Sequence, residues 1–395
     1  MLRLTRHRHA RGGSPNRSGN RTLTIATRSI AVFLVAALAA ACAGGGPTAS
    51  SGPSEDASGG GDVVVYGALS MKDLFEGPIG TRMAEQGVSV TQVPLLTAEA
   101  LTKSIAERKN PKASVVIVDS AAYVTGVNAG LWDTIDDESV PNADSLSQEI
   151  GLDAFDHQGV PIHALTFVLM YRKDLLAEKD IPAPTSLSDL TDPRLKGHVG
   201  LVSPSSTVGI YTLLAMANAN DGDAKNIDPG FEAVEQLTQS GQVGYFAGSS
   251  SDMNQAMERG DAWVAVQADA GAVRFAREND AIGFAYPSEG VPIDFNVAVI
   301  PKNAPNKAGA HKLLNELIGP ETQHEFSNEI FQVPVQEDAE GQNRVLGEQE
   351  KEAGRVSFQQ LNSTSGVGAW VLDWTAVAAQ RNDWYTRWMS SVQSG

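Results

Sequence analysis

The chain has 395 residues, 42% of them hydrophobic, 19% charged, and carries a formal net charge of −17, so it has material for well-filled cores but no clustered cationic surface of the kind a phosphate backbone requires. A single cysteine among 395 residues excludes an internal disulfide, so the fold must rest on its own apolar packing.

Met1 to Arg28 holds seven arginines and no acidic residue, and Ile30 to Ala41 follows as an apolar run of 12 residues. A membrane-spanning helix needs about 20. The run therefore reads as the apolar part of a signal peptide, with Ala39, Ala40 and Ala41 as the cleavage side and Cys42 directly after it. Removing the leader takes the charge of the remainder from −17 to −24. Leu38-Ala39-Ala40-Ala41-Cys42 resembles a bacterial lipobox, which implies that residues 1–41 are a lipoprotein signal peptide and that Cys42 is the lipid-anchor residue. Ala43 to Gly61 is almost entirely Gly, Ser, Ala and Pro, so residues 42–61 are expected to form a flexible tether reaching on the order of 25 Å.

From Asp62 onward short apolar runs alternate with amphipathic stretches. Strands are expected at Val63 to Tyr66, Ser89 to Val93 and Ser114 to Asp119. Between them fall a helical stretch with Leu74, Phe75, Ile79 and Met83, broken at Gly77-Pro78, and a helix capped by Thr97 with Leu101 and Ile105 inward. A short helix over Ser120 to Asn128 completes a βαβαβα pattern, the signature of a mostly parallel sheet. A second lobe is expected after His163 to Tyr171. It has strands at His198 to Val202, Val243 to Phe246 and Trp263 to Gln267, and helices starting near Ser206, around Phe231, around Met253 and at Asp269. Asp294 to Pro301 leads back to the first lobe. Trp370 to Val392 carries four tryptophans as two i, i+4 pairs, expected to pack a closing helix against the body. The expected organisation is an α/β fold with lobe one at about 62–168 and 295–335, lobe two at about 169–290, and a C-terminal packing helix at about 370–392.

Enzyme signatures are absent. The sequence has no G-x-x-x-x-G-K-[ST], no H-E-x-x-H and no G-x-S-x-G, and the five histidines past the leader lack metal-ligand spacing, so no catalytic residue, metal or cofactor is expected. Each of those histidines reads as a surface or cap residue. An extracytoplasmic hydrolase or transferase on a similar scaffold is the alternative, and a tethered interaction module without a small ligand is a third.

The loops that end strands and open helices are where open α/β sheets bind ligands. The candidate ligand-binding residues are Tyr66, Ser70 and Asp119 in the first lobe, Ser205, Ser206, Thr207 and Asp269 in the second, and Asp294 at the crossing. Hydroxyls and free amides at a helix start suit an anion, whereas Asp119, Asp269 and Asp294 suit an ammonium; a zwitterion would use both.

Four segments, in order, carry a resemblance: AERKNPKASVVIVDSAAYVTGVNAGLW (Ala106 to Trp132), PTSLSDLTDPRLKGHVGLVSPSSTVG (Pro184 to Gly209), YPSEGVPIDFNVAVIPKNAPNKAGAHKLLNELIGPETQHEFSNEIFQVPV (Tyr286 to Val335) and, more loosely, the helix from Asp373-Trp374 to Trp388. Together they resemble the type 2 periplasmic solute-binding proteins of ABC importers, in the branch with ferric-iron, polyamine, thiamine and aminophosphonate binders. The resemblance implies two lobes of mostly parallel sheet joined by a hinge, placed near Met170-Tyr171 and Pro287-Asp294. It also implies a monomeric, lipid-anchored protein at the outer face of the bacterial cell membrane. Such a protein would capture a small polar or charged solute (cationic amine, zwitterion or phosphonate-like) and deliver it to a membrane permease, with no nucleic acid as partner. Ferric-iron binders of this branch place adjacent tyrosines where this chain has Ala268-Asp269-Ala270, and polyamine binders place aromatics there and after the Glu-Gly turn, so neither site is complete here.

Overall fold

The computed structural model describes residues 60–148, 150–336 and 368–393, all within one compact unit spanning Ser54–Gly395. Cys42, the leader and nearly all of the tether lie outside the described residues.

Two sheets organise it. In lobe one, β1 (Gly61–Gly67) is flanked by β2 (Val88–Val93) and β3 (Val115–Asp119), both parallel to it. Helices α1 (Lys72–Glu76) and α2 (Pro78–Glu85) join β1 to β2; Gly77-Pro78 separates them, since proline lacks the N–H that would continue α1 but fits the first turn of α2. Helix α3 (Thr97–Glu107) joins β2 to β3, and α4 (Ser120–Asn128) leaves β3 with Asp119 as its cap, accepting the Ala122 N–H at 2.8 Å. Strand β4 (Val160–Leu165) belongs to the same sheet, paired antiparallel with β10 (Val291–Val299).

Two expectations for α3 need correction. Thr97 is its first helical residue rather than its cap; the Leu96 N–H is instead taken by Glu99 Oε2 at 3.0 Å. The inward face is Ala100 and Ser104, while Ile105 is 40% exposed, because small side chains let α3 lie close on the sheet.

Lobe two is built around β6 (Val199–Val202), flanked in parallel by β7 (Val243–Ala247) and β8 (Val264–Ala268). Strands β5 (Phe167–Arg172) and β9 (Ile282–Ala285) extend it antiparallel beyond β8. Its helices are α5 (Lys173–Ala177), α6 (Thr207–Asn218), α7 (Asp228–Gln239), α8 (Ser250–Arg259) and α9 (Asp269–Glu278). Helix α6 is buried along nearly its whole length. Both sheets thus have a parallel core with antiparallel additions.

The chain crosses between sheets twice. The first crossing is Thr166, between β4 and β5, several residues before Met170-Tyr171, which sit inside β5. The second lies between β9 and β10. Thr166 ties the two together by donating to the Pro292 carbonyl at 3.0 Å, and its own carbonyl accepts the Asp269 N–H at 3.0 Å. Helices α10 (Lys307–Leu317) and α11 (Pro320–Glu329) then return to lobe one.

The C-terminal segment begins with strand β11 (Ala369–Val371), parallel to the start of β10, followed by α12 (Trp374–Arg387) and a final π-helical turn, Trp388–Val392. Trp370 pairs with Pro292 in the sheet, so the helix starts only after Asp373 caps it by accepting the Ala376 N–H at 3.0 Å. Trp374, Val377, Trp384 and Trp388 are buried. The helix packs on α4 of lobe one and its last turn on α7 of lobe two, where Trp388 meets Phe246 edge-on at 6.2 Å.

Candidate functional site

In each lobe the central strand has parallel neighbours on both sides, so the connections diverge and leave a crevice at the strands' C-terminal ends. In lobe one that crevice lies where β1 and β3 end, at Ala68 and Asp119; in lobe two it lies where β6 and β8 end, at Ser203 and Asp269.

At the junction sits a buried polar cluster. Asp294, on β10, is 1% exposed. Its Oδ1 accepts the Phe295 N–H at 2.7 Å and its Oδ2 accepts the hydroxyl of Tyr211, from α6 of lobe two, at 3.1 Å. The Ser120 hydroxyl, at the start of α4, lies beside it and also bonds the Phe295 backbone. Burial, and then the charge of Asp119, push the Asp294 carboxyl up to about 7, against the pull of the Ser120, Phe295 and Tyr211 hydrogen bonds. Asp119 is itself raised by burial, opposed by the Ala122 N–H and by the positive charge of Arg381 on α12. Tyr211 is held far above its ordinary range by burial and by the Asp294 and Asp119 charges, so it stays a neutral donor.

The other sequence candidates are placed as follows. Tyr66 is buried, and its hydroxyl donates to Glu107 Oε2 on α3 at 3.1 Å with Lys103 over its ring, so that hydroxyl is engaged inside lobe one. Ser70 is exposed in the short 3₁₀ turn Leu69–Met71 after β1. Ser206 caps α6, accepting the Gly209 N–H at 3.4 Å; Ser205 is exposed and hydrogen-bonds Ser203, and Thr207 opens the helix half-buried. Asp269, 2% exposed, opens α9 beside the Thr166 crossing. Asp119 and Asp294 are brought together, whereas Tyr66 is directed to α3.

Sequence reading missed Tyr211 and Arg381, and it gave Ser120 only as the loop residue after Asp119. Tyr211 stands four residues after Thr207, hence one turn inward on the same helix face, and that spacing is the signal that could have found it. Among the histidines, His163 is not a surface residue: it is 1% exposed, 3.2 Å from Asn296 Nδ2 and edge-on to Phe326, because β4 is buried along nearly its whole length. Among the described residues no group of three or more His, Cys, Asp or Glu could hold a metal ion. No described helix is long and apolar enough to cross a membrane. A separate cavity of about 600 Å³ lies within lobe two, lined among others by Leu187, Lys196, Met216, Leu237 and Glu289, and includes none of the crevice residues.

These features define a two-lobed α/β protein with its polar groups gathered where the lobes meet. The sequence pattern of the bacterial extracellular solute-binding proteins matches residues 83–345. The chain belongs to that family. No curated protein matches it significantly. Among solved structures, it is similar to an ABC transporter from Clostridium perfringens ATCC 13124, with 22% identity and a TM-score of 0.68 over 84% of this chain and 99% of that one. A spermidine/putrescine ABC transporter substrate-binding protein, PotD from Streptococcus pneumoniae strain Canada MDR_19A, matches with 15% identity and a TM-score of 0.68, again over 84% and 99%. A periplasmic thiamin binding protein matches with 20% identity and a TM-score of 0.61 over 84% and 96%. The fold is therefore the two-lobed one of ABC-transporter substrate-binding proteins, and family membership makes the chain a solute-binding protein.

Proposed function

We propose that the protein captures a small solute bearing a positive charge, as an amine or a zwitterion, in the crevice between its lobes and hands it to the membrane permease of an ABC importer. The observation that carries this reading is the pair Asp119 and Asp294 at the junction, with Tyr211 arriving from the opposite lobe. Two partly desolvated carboxylates at the meeting point of two lobes disfavour their own charge, and an ammonium placed there restores it. The solutes named for similar folds, polyamine and thiamin, are consistent with that polarity. Contacts from both lobes would favour the closed arrangement, with motion at Thr166 and at the start of β10. We read Ser70, Ser205, Ser206, Thr207 and Asp269 as the walls of the same crevice, and Tyr66 as their support through α3.

The lipobox-like Leu38 to Cys42, the leader before it and the Gly/Ser-rich stretch after it support a lipid anchor at the outer face of the membrane and a flexible tether, and we read the carrier as a monomer. We read the protein as a carrier rather than an enzyme: its hydroxyl loops serve as helix caps, as Ser206 and Ser249 do. A thermal-shift screen of the purified protein over amines, zwitterions, phosphonates, sugars, oxyanions and metals tests the reading, since a ligand of the native state raises the melting temperature. The expected hit is an amine or zwitterion whose affinity falls when Asp269→Ala and Thr207→Ala are combined. A hit confined to sugars or oxyanions, or turnover of the hit, would overturn it.

A further inference from the structure

One residue where the lobes meet has a backbone that its side chain disfavours. Phe331 follows α11 with φ at 56°, in the left-handed region where a helix end ordinarily carries glycine, because a Cβ there crowds the carbonyl oxygen. Of the six other non-glycine residues with such a φ among the described residues, four are Asp or Asn, which tolerate it. The residues around Phe331 are anchored in lobe one. Ile330 and Val333 are buried, and Val333 exchanges backbone hydrogen bonds with Ala164 of β4, at 2.8 Å from the Ala164 N–H and 3.3 Å from the Val333 N–H. The Phe331 ring itself is only half-buried, so it is not part of that core. It is met instead from lobe two. Arg274 and Arg277, three residues apart on one face of α9, place their guanidinium carbons 5.3 and 4.9 Å from the ring centroid. Both distances lie within the about 6 Å over which an aromatic ring attracts a cation.

We infer that Phe331, Arg274 and Arg277 form a clasp that holds the two lobes together independently of any solute. Helix α9 is pinned to the first crossing at its start, where the Thr166 carbonyl accepts the Asp269 N–H at 3.0 Å. Arg274 and Arg277 stand five and eight residues farther on, about 8 and 12 Å along the helix axis. With an arm of about 10 Å, a lobe rotation of about 30° about that crossing displaces the guanidinium groups on the order of 5 Å, which takes them off the ring. The clasp therefore exists in one arrangement of the lobes and not in the rotated one, and it biases the equilibrium towards the first. The left-handed backbone at Phe331 has its reason here: glycine would relax the turn but offer the arginines no ring. A bias that is present before the solute arrives raises the apparent affinity for whatever the closed crevice holds.

The test is the distance between the lobes in solution, with no solute added. A full chain carrying Cys42→Ser, Thr102→Cys on α3 and Glu232→Cys on α7, both exposed positions, takes one spin label per lobe, and pulsed dipolar spectroscopy gives the distribution of distances. This labelled parent should show a principal short-distance population. Phe331→Gly should move the ratio of short to long distances towards the long ones by at least about three-fold. Its melting temperature should stay within about 3 °C of the parent, because relief of the turn offsets loss of the ring. Arg274→Gln combined with Arg277→Gln should move the ratio the same way. Arg274→Lys with Arg277→Lys should fall between, since an ammonium lacks the planar face that stacks on a ring. The inference is overturned if Phe331→Gly and the double glutamine variant both match the parent, if only one of them moves the ratio, or if the parent shows long distances alone. Should Phe331→Gly fail to fold, Phe331→Leu, which keeps the backbone and the bulk but not the aromatic face, decides by the same ratio. Because no solute enters the measurement, the crevice reading can fail without changing this result.

Discussion

Tyr211 Oη donates to Asp294 Oδ2 at 3.1 Å, joining a helix of lobe two to the strand by which the chain re-enters lobe one. Both residues are almost wholly buried, so the bond depends on the charge of Asp294 rather than on solvent. Tyr211→Phe removes the donor without changing the ring packing. The loss is expected at about 2 kcal/mol at pH 8, where the bond meets an ionised carboxylate, and about 1 kcal/mol at pH 5, where it meets a neutral one. Because the hydroxyl lowers the Asp294 pKa, the variant should titrate at still higher pH. Urea unfolding at the two pH values checks it; equal losses at both would show that the hydroxyl does not sense that charge.

Asp294 has its own pH signature. Its folded value, about 7, lies above the ordinary carboxylate value of about 4, so the folded state holds the proton more tightly than the unfolded chain. Its contribution to stability is therefore fully present below pH of about 4 and is lost as pH rises through about 7. Asp294→Asn imitates the protonated acid at every pH. It should match wild type near pH 4 and exceed it by on the order of 4 kcal/mol at pH 8. A variant less stable than wild type at pH 8 would mean that the ionised carboxylate is satisfied by the native site.

Gly209 fixes where the α6 crevice loop sits. A Cβ there would lie 2.2 Å from the Ser203 carbonyl carbon and oxygen and 2.5 Å from the Pro204 nitrogen, all backbone atoms that cannot rotate away. Gly209→Ala should cost about 2 kcal/mol and displace Ser206 and Thr207 from the crevice, weakening solute binding as well. Gly248→Ala, in the loop after β7 with nothing within 4 Å, serves as control and should stay within about 0.5 kcal/mol of wild type. Calorimetric binding with the panel hit, alongside melting curves, separates the two positions.

The strand and helix sequence of both lobes was legible because parallel strands buried on both faces read as short apolar runs, and helix starts carry their own caps, as Ser206 and Asp119 show. Asp119 was legible as the carboxylate that ends β3 and caps α4, and Asp294 as the first residue of an apolar run, although the strand itself begins earlier, at Val291. Tyr211 and Arg381 were not, since each gains its role from a residue on a distant element, Asp294 and Asp119 respectively. Ile105 misled because apolar identity predicts burial only when the neighbouring element leaves room, and α3 lies on Ala100 and Ser104. Trp370 misled by spacing, because a four-residue interval to Trp374 fits a helix although a strand, β11, ends between them.

Arg82 supplies the last prediction, one confined to lobe one. From α2 its Nε reaches Glu316 Oε1 at 2.6 Å, its Nη1 and Nη2 reach both oxygens of Glu325 at 2.7 and 2.8 Å, and Nη2 also donates to Thr322 Oγ1 at 2.7 Å. It thereby fastens the segment before the first crossing to α10 and α11, which follow the second. The Arg82 side chain is 25% exposed and its partners 13% and 19%, so the network is less screened than a surface pair. Arg82→Ala should cost about 2 kcal/mol at pH 7, partly because Glu316 and Glu325 are left facing each other. Arg82→Lys keeps the charge but loses the fork and should cost about 1 kcal/mol. Solute affinity should be unchanged in both variants, and a change in affinity without one in stability would show that this network reaches the crevice.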